Sequence, residues 1–120
     1  MPKILVVDDD IDFRQLSAAL LTDAGYEVVH TGSGEDAHKI LGAEAFDLVV
    51  TDMMMPGMGA PGLVKLIKEK WPDMPIIAVT GTNAFESKRH TENLAMLGVN
   101  AMVEKSPRLS DLISAVAEII

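Results

Sequence analysis

The side chains of this chain best suited to chemistry stand at the ends of apolar runs. Asp8 and Asp9 close Lys3-Ile-Leu-Val-Val7, Asp52 closes the run from Phe46 to Thr51, Thr80 follows Pro75-Ile-Ile-Ala-Val79, and Lys105 follows Asn100-Ala-Met-Val-Glu104. Runs of this length without polar alternation read as strands buried on both faces, the mark of a parallel sheet. Residues just past such strands lie at the carboxyl edge, where open α/β sheets build their sites. Asp8, Asp9 and Asp52 are therefore expected side by side, with the Thr80 hydroxyl and the Lys105 ammonium close to them.

Such a pocket is electrostatically incomplete. At an effective dielectric near 20, two carboxylates about 5 Å apart repel by roughly 3 kcal/mol. One lysine does not neutralise three acids. A hard divalent cation with oxygen ligands is the natural complement, and few carboxylates with room left for water suit Mg²⁺ better than a closed Ca²⁺ cage. A cation so held also binds a phosphate oxygen, while Thr80 and Lys105 offer donors to the others. The arrangement reads as one in which Asp52 attacks phosphorus.

The pieces Ile4-Leu-Val-Val-Asp-Asp-Asp10, Asp52-Met-Met-Met-Pro-Gly-Met58, Val79-Thr-Gly81 and Val103-Glu-Lys105, in this order and at these spacings, resemble the receiver domain of two-component response regulators, similar to the stand-alone chemotaxis type. The resemblance covers essentially the whole chain. It implies that Asp52 is the phosphoacceptor, that Asp8 and Asp9 are the acid pair, and that the Met54 main-chain carbonyl joins Asp9 and Asp52 around Mg²⁺, with Asp8 helping directly or through water. Mn²⁺ is an acceptable substitute. Thr80 is then the switch hydroxyl, Gly81 its neighbour in the phosphoryl-binding turn, and Lys105 the lysine that pairs with the phosphoryl group. The donor is a histidine kinase or a phosphotransfer protein, and the output is an unnamed partner protein or domain. Such a domain is a signalling phosphoacceptor, active only in its own phosphorylation and dephosphorylation, and is cytoplasmic, either monomeric or a phosphorylation-dependent homodimer.

Several positions depart from the family pattern. Ser106 and Pro107 stand where a proline and then an aromatic are usual after the lysine, Met102 occupies the switch-aromatic position, and Ala60 replaces an expected glycine. Met102 is accordingly the readout candidate, refilling space by a rotamer change, since an unbranched thioether adapts readily. Met54 and Thr82, two beyond the phosphoacceptor and two beyond the switch hydroxyl, flank the path of attacking water and are the positions that tune hydrolysis.

Composition fits a small signalling module. The 120 residues suit one domain spanning 1–120, and 48% hydrophobic content supplies its core. Cysteine is absent, which excludes disulfides and thiolate metal sites. There is no signal peptide and no apolar run near the ~20 residues that span a bilayer, so no membrane segment is expected. A formal charge of -8 argues against direct nucleic-acid binding, which needs clustered Lys and Arg.

Alternating strand and helix patterns position the chemistry. The expected fold is α/β, a doubly wound five-stranded parallel sheet of order 2-1-3-4-5 with helices on both faces. Phe13, Leu16 and Leu20 mark a helix ending at Gly25, and Tyr26–His30 is a short strand. Ser33-Gly-Glu-Asp36 caps a helix carrying Ala37, Ile40 and Leu41. Gly57, Gly59, Pro61 and Gly62 read as a loop before a helix carrying Leu63, Leu66 and Ile67 and closed by Trp71-Pro72. Phe85–Leu97 reads as a helix with little apolar face and loosely held amino-terminal turns, and the interval from Thr80 to Gly98 is about three residues longer than the family leads one to expect, in either the loop after the fourth strand or the helix. Leu109, Leu112, Ile113 and Val116 mark the last helix.

Plainer roles and rival classes bear on the same residues. Asp10 and Asp12 suit helix capping, Met55 and Met58 suit packing, and His30, His38 and His90 share no ligand spacing. An aspartyl-nucleophile phosphatase also places an Asp at a strand end with Mg²⁺, but it needs a second acid two residues on, where this chain has Met54. A flavodoxin-like cofactor binder needs a phosphate-cradling loop after the first strand, whereas Asp8-Asp-Asp10 repels phosphate. A degenerate receiver acting only as a binding module is the third alternative, against which Asp52, Thr80 and Lys105 all speak.

Overall fold

A computed structural model describes residues 1–52, 59–80, 98–104 and 109–120. Within them run β1 (Lys3–Val7), α1 (Ile11–Asp23), β2 (Glu27–Thr31), α2 (Gly34–Ala43), β3 (Leu48–Asp52), α3 (Gly59–Lys70), β4 (Ile76–Thr80), β5 (Ala101–Glu104) and α4 (Ser110–Ile119). The five strands form one sheet in the order β2-β1-β3-β4-β5, as the family resemblance implies, and every pairing is parallel, as the patterning predicts. The helix expected over Phe85–Leu97 lies outside the described residues.

Both faces of the sheet are covered, and successive residues of β1 divide between them. Leu5 and Val7 pack with Ala37 and Leu41 of α2 and with Leu63, Val64 and Ile67 of α3. Ile4 and Val6 pack with Phe13 and Leu21 of α1 and with Leu112 and Val116 of α4. All four β1 side chains are fully buried, which is why the run carries no polar alternation. The chain leaves β1 toward β2 on one side and later returns to β3 on the other, so a crevice opens past the carboxyl ends of β1 and β3.

The helix ends follow local chemistry. Asp10 caps α1, its carboxylate accepting from the amides of Asp12 and Phe13 at 3.0 and 3.3 Å. Ser33 caps α2 by accepting from the Asp36 amide at 3.1 Å. Beyond α1, Gly25 takes φ +104, a left-handed conformation that favours glycine and turns the chain into β2.

Three local expectations are corrected. Leu16, grouped with Phe13 and Leu20 by its spacing, is 46% exposed and Leu20 is half-buried; Phe13 is buried together with Ser17 and Leu21, a four-residue spacing in which Ser17 is admitted because its hydroxyl donates to the Phe13 carbonyl at 2.7 Å. Gly59, Pro61 and Gly62 belong to α3 rather than to a loop, and Pro61 is tolerated because the first amides of a helix lack intrahelical acceptors. The second strand runs Glu27–Thr31, one residue later than the spacing gives, with the half-buried Tyr26 packing against the core before it begins.

The register correction is testable. Leu21→Ala should destabilise the fold by about 2–5 kcal/mol, the usual cost of emptying a buried leucine site. Leu16→Ala should stay within about 0.5 kcal/mol of the parent. Urea titration followed by circular dichroism reads both, and equal losses would reject the assigned face of α1.

Candidate functional site

β1 ends at Val7 and delivers Asp8 directly to the sheet edge, its amide donating to the Thr31 carbonyl of β2 at 3.1 Å. One Asp8 oxygen, Oδ1, accepts from the Asp10 amide at 2.9 Å, folding the segment back into a tight turn. Asp8 is 1% exposed, whereas Asp9, next along the turn, is exposed. Asp52 is the last residue of β3 and 6% exposed. The sheet thus brings together residues far apart in sequence, and an oxygen from each of Asp8, Asp9 and Asp52 lies within 4.8 Å of the other two.

At that separation each pair of ionised carboxylates repels by roughly 3 kcal/mol in an effective dielectric near 20. Three convergent anionic oxygens, two of them at buried residues and one reaching from solvent, form the kind of donor set that hard divalent cations take. The described portion of the cluster has no thiolate or imidazole in it, so its donor chemistry favours Mg²⁺ over softer metals.

The remaining candidates stand as follows. Thr80 closes β4 and pairs with Glu104 in register, one step beyond the pairing of Asp52 with Val79, so its backbone reaches the same edge. Met54, Gly81, Thr82 and Lys105 lie outside the described residues. Met102, in β5, is half-buried and packs against the core formed with α2 and α3. Asp10 is spent on the α1 cap, in keeping with its plainer role. His30 and His38 engage Arg14 and Lys70 respectively rather than sharing a ligand set. Sequence reasoning passed over Arg14, whose Nη1 donates to the Asp8 main-chain oxygen at 2.9 Å. No spacing rule points to it, because its partner is a backbone carbonyl.

Known proteins resemble this chain in sequence and in fold. The chain is 38% identical over 81 residues to the response regulator receiver protein CpdR of Brucella abortus, covering 68% of each chain. It is 37% identical over 84 residues, 70% of its length, to the response regulator protein FleR of Pseudomonas aeruginosa, of which the match spans only 18%. Among solved structures, the chemotaxis protein CheY4 of Vibrio cholerae superposes with a TM-score of 0.92 at 27% identity, over 100% of this chain and 99% of that one. The response regulator TrrA of Thermotoga maritima, solved in complex with Mg²⁺-BeF, superposes at 0.86 with 30% identity over 100% of both chains. TrrA has also been solved in complex with the histidine kinase ThkA, where it superposes at 0.85. The response regulator receiver domain model matches residues 4–117, nearly the full length, and the chain with its five-stranded sheet and acidic edge belongs to that family of two-component signalling domains.

Proposed function

We propose that this receiver domain takes a phosphoryl group onto Asp52 from the phosphohistidine of a histidine kinase or phosphotransfer protein, in a Mg²⁺-dependent way, and changes its surface to control a partner. The observation that carries the reading is the convergence of Asp8, Asp9 and Asp52 oxygens within 4.8 Å at the carboxyl edge of the sheet. The Mg²⁺-BeF complex and the kinase complex of TrrA support it by likeness. Asp8, Asp9 and Asp52, with the Met54 main-chain carbonyl, would hold the cation, which when bound neutralises the acids and the phosphoryl oxygens.

The transfer itself uses the chain's own groups. An Asp52 carboxylate oxygen forms the new bond to phosphorus as the phosphorus–nitrogen bond of the donor breaks, and the histidine leaves with the bonding pair. Burial of Asp52 restricts approach to the open side of the crevice, which fixes the attacking oxygen and limits competing water. Lys105 pairs with the new dianion and the Thr80 hydroxyl donates to another phosphoryl oxygen, drawing the ends of β4 and β5 toward the site. Gly81, next in sequence after Thr80, adds no side chain to compete for that oxygen. Met102, adjacent on β5, repacks as that edge moves and carries the change toward the surface.

Three outcomes are expected. With acetyl phosphate and Mg²⁺, intact-mass spectrometry should find one added phosphoryl group on the parent and none on Asp52→Asn. Asp9→Asn and Asp52→Asn should each weaken Mg²⁺ binding, Asp9→Asn about tenfold or more, by calorimetry, and unchanged Mg²⁺ affinity in either variant would reject the site. The lifetime of phospho-Asp52 should be comparatively long, because a thioether at Met54 is a weak acceptor and Thr82 is short, so neither orients water well. Met54→Asn combined with Thr82→Glu should shorten it, and a dephosphorylation time course that is unchanged or slower would refute the role given to these positions.

A further inference from the structure

The turn that carries the acids has a brace arriving from outside it. Arg14, closing the first turn of α1 and half-buried, reaches back across the sheet edge: Nη1 donates to the Asp8 main-chain oxygen at 2.9 Å, and Nε donates to His30 Nδ1, on β2, at 3.0 Å. One planar group thus ties α1, the end of β1 and the end of β2 together, a two-point contact that a lysine ammonium cannot copy in the same geometry. The guanidinium also needs room. A Cβ at Gly32 would stand 2.5 Å from Arg14 Nη1 and 3.8 Å from the Asp8 oxygen. Among the described glycines, positive φ occurs at Gly25 and Gly98 and not at Gly32, so the backbone at 32 admits alanine. What excludes a side chain there is the arginine.

We propose that Arg14 is a positioning residue for the acid cluster, holding the Asp8 main chain so that Asp8 and Asp9 meet Asp52 at the spacing a cation requires, and that Gly32 stays bare to admit it. The proposal rests on the reading of the acids as a cation site. Its sign is diagnostic. Deleting a positive charge beside three carboxylates would, through charge alone, tighten cation binding, whereas loss of positioning weakens it.

The test is Mg²⁺ calorimetry on the parent, Arg14→Ala, Arg14→Lys, Gly32→Ala and the Arg14→Ala/Gly32→Ala double variant, alongside thermal melting and metal-free hydrogen exchange of the Asp10 amide, whose acceptor is Asp8 Oδ1. Each single variant, the charge-conserving lysine included, should weaken Mg²⁺ about tenfold, as removal of a group supporting metal ligands does, and should speed Asp10 exchange while melting near the parent temperature. The double variant should be no weaker than Arg14→Ala, because Gly32→Ala acts only by displacing the guanidinium. Unchanged or tighter Mg²⁺ binding in Arg14→Ala would overturn the proposal, as would a Gly32→Ala effect that persists without the arginine. If the parent takes no Mg²⁺, or Asp9→Asn binds it as well as the parent does, the cation reading falls. The brace then stands if Asp10 exchange is still faster in Arg14→Ala, and falls with that reading if it is not.

Discussion

Mutual repulsion of the Asp8, Asp9 and Asp52 carboxylates is the constraint to which much of the remaining architecture answers. Oxygens within 4.8 Å of one another oppose the very packing that gathers them. The sheet supplies the opposing force. β1 and β3 are hydrogen-bonded from Ile4 with Leu48 to Val7 with Thr51, and their buried side chains are sealed from both faces. Separating the acids means breaking that ladder and wetting two cores. The domain is therefore held with its polar edge under tension, ready to gain from any group that brings positive charge.

The three acids are not equivalent within that edge. Asp8 and Asp52 are nearly closed off from solvent while Asp9 is exposed, so two of the oxygens are fixed by packing and the third reaches in from water. In the proposed cation site the two buried carboxylates would set the geometry and the exposed one would complete it at low desolvation cost. Arg14 acts at the junction between these two behaviours, bonding to the residue whose side chain is buried and whose successor is not.

The strands and the convergence of the acids could be read from the sequence because both depend on simple patterns, unbroken apolar runs for strands buried on two faces and acids that end them, while the order of the strands came from the family resemblance. Helix faces were harder to read. Leu16 fits a helical stripe as well as Ser17 does not, yet Ser17 is inside because its hydroxyl finds the Phe13 carbonyl, a partner that sequence spacing does not reveal. Gly59 and Pro61 carry loop composition but sit in the first turn of α3, where the usual penalties are smallest. Arg14 was invisible for a related reason: contacts to main-chain oxygens leave no mark in the pattern of side chains.

Division of the interior by the sheet has an evolutionary corollary. Among the described residues, side chains from Leu5 and Val7 pack on the α2 and α3 side and those from Ile4 and Val6 on the α1 and α4 side, so substitutions in one layer have no direct partner there in the other. Energetic effects of separated sites combine nearly additively. Each layer is free to drift in composition without compensation from its opposite, whereas the strand ends, which face both, are not. A chain built this way tolerates change in most of its residues while keeping its backbone, in line with a superposition of 0.92 on a protein sharing 27% of its sequence.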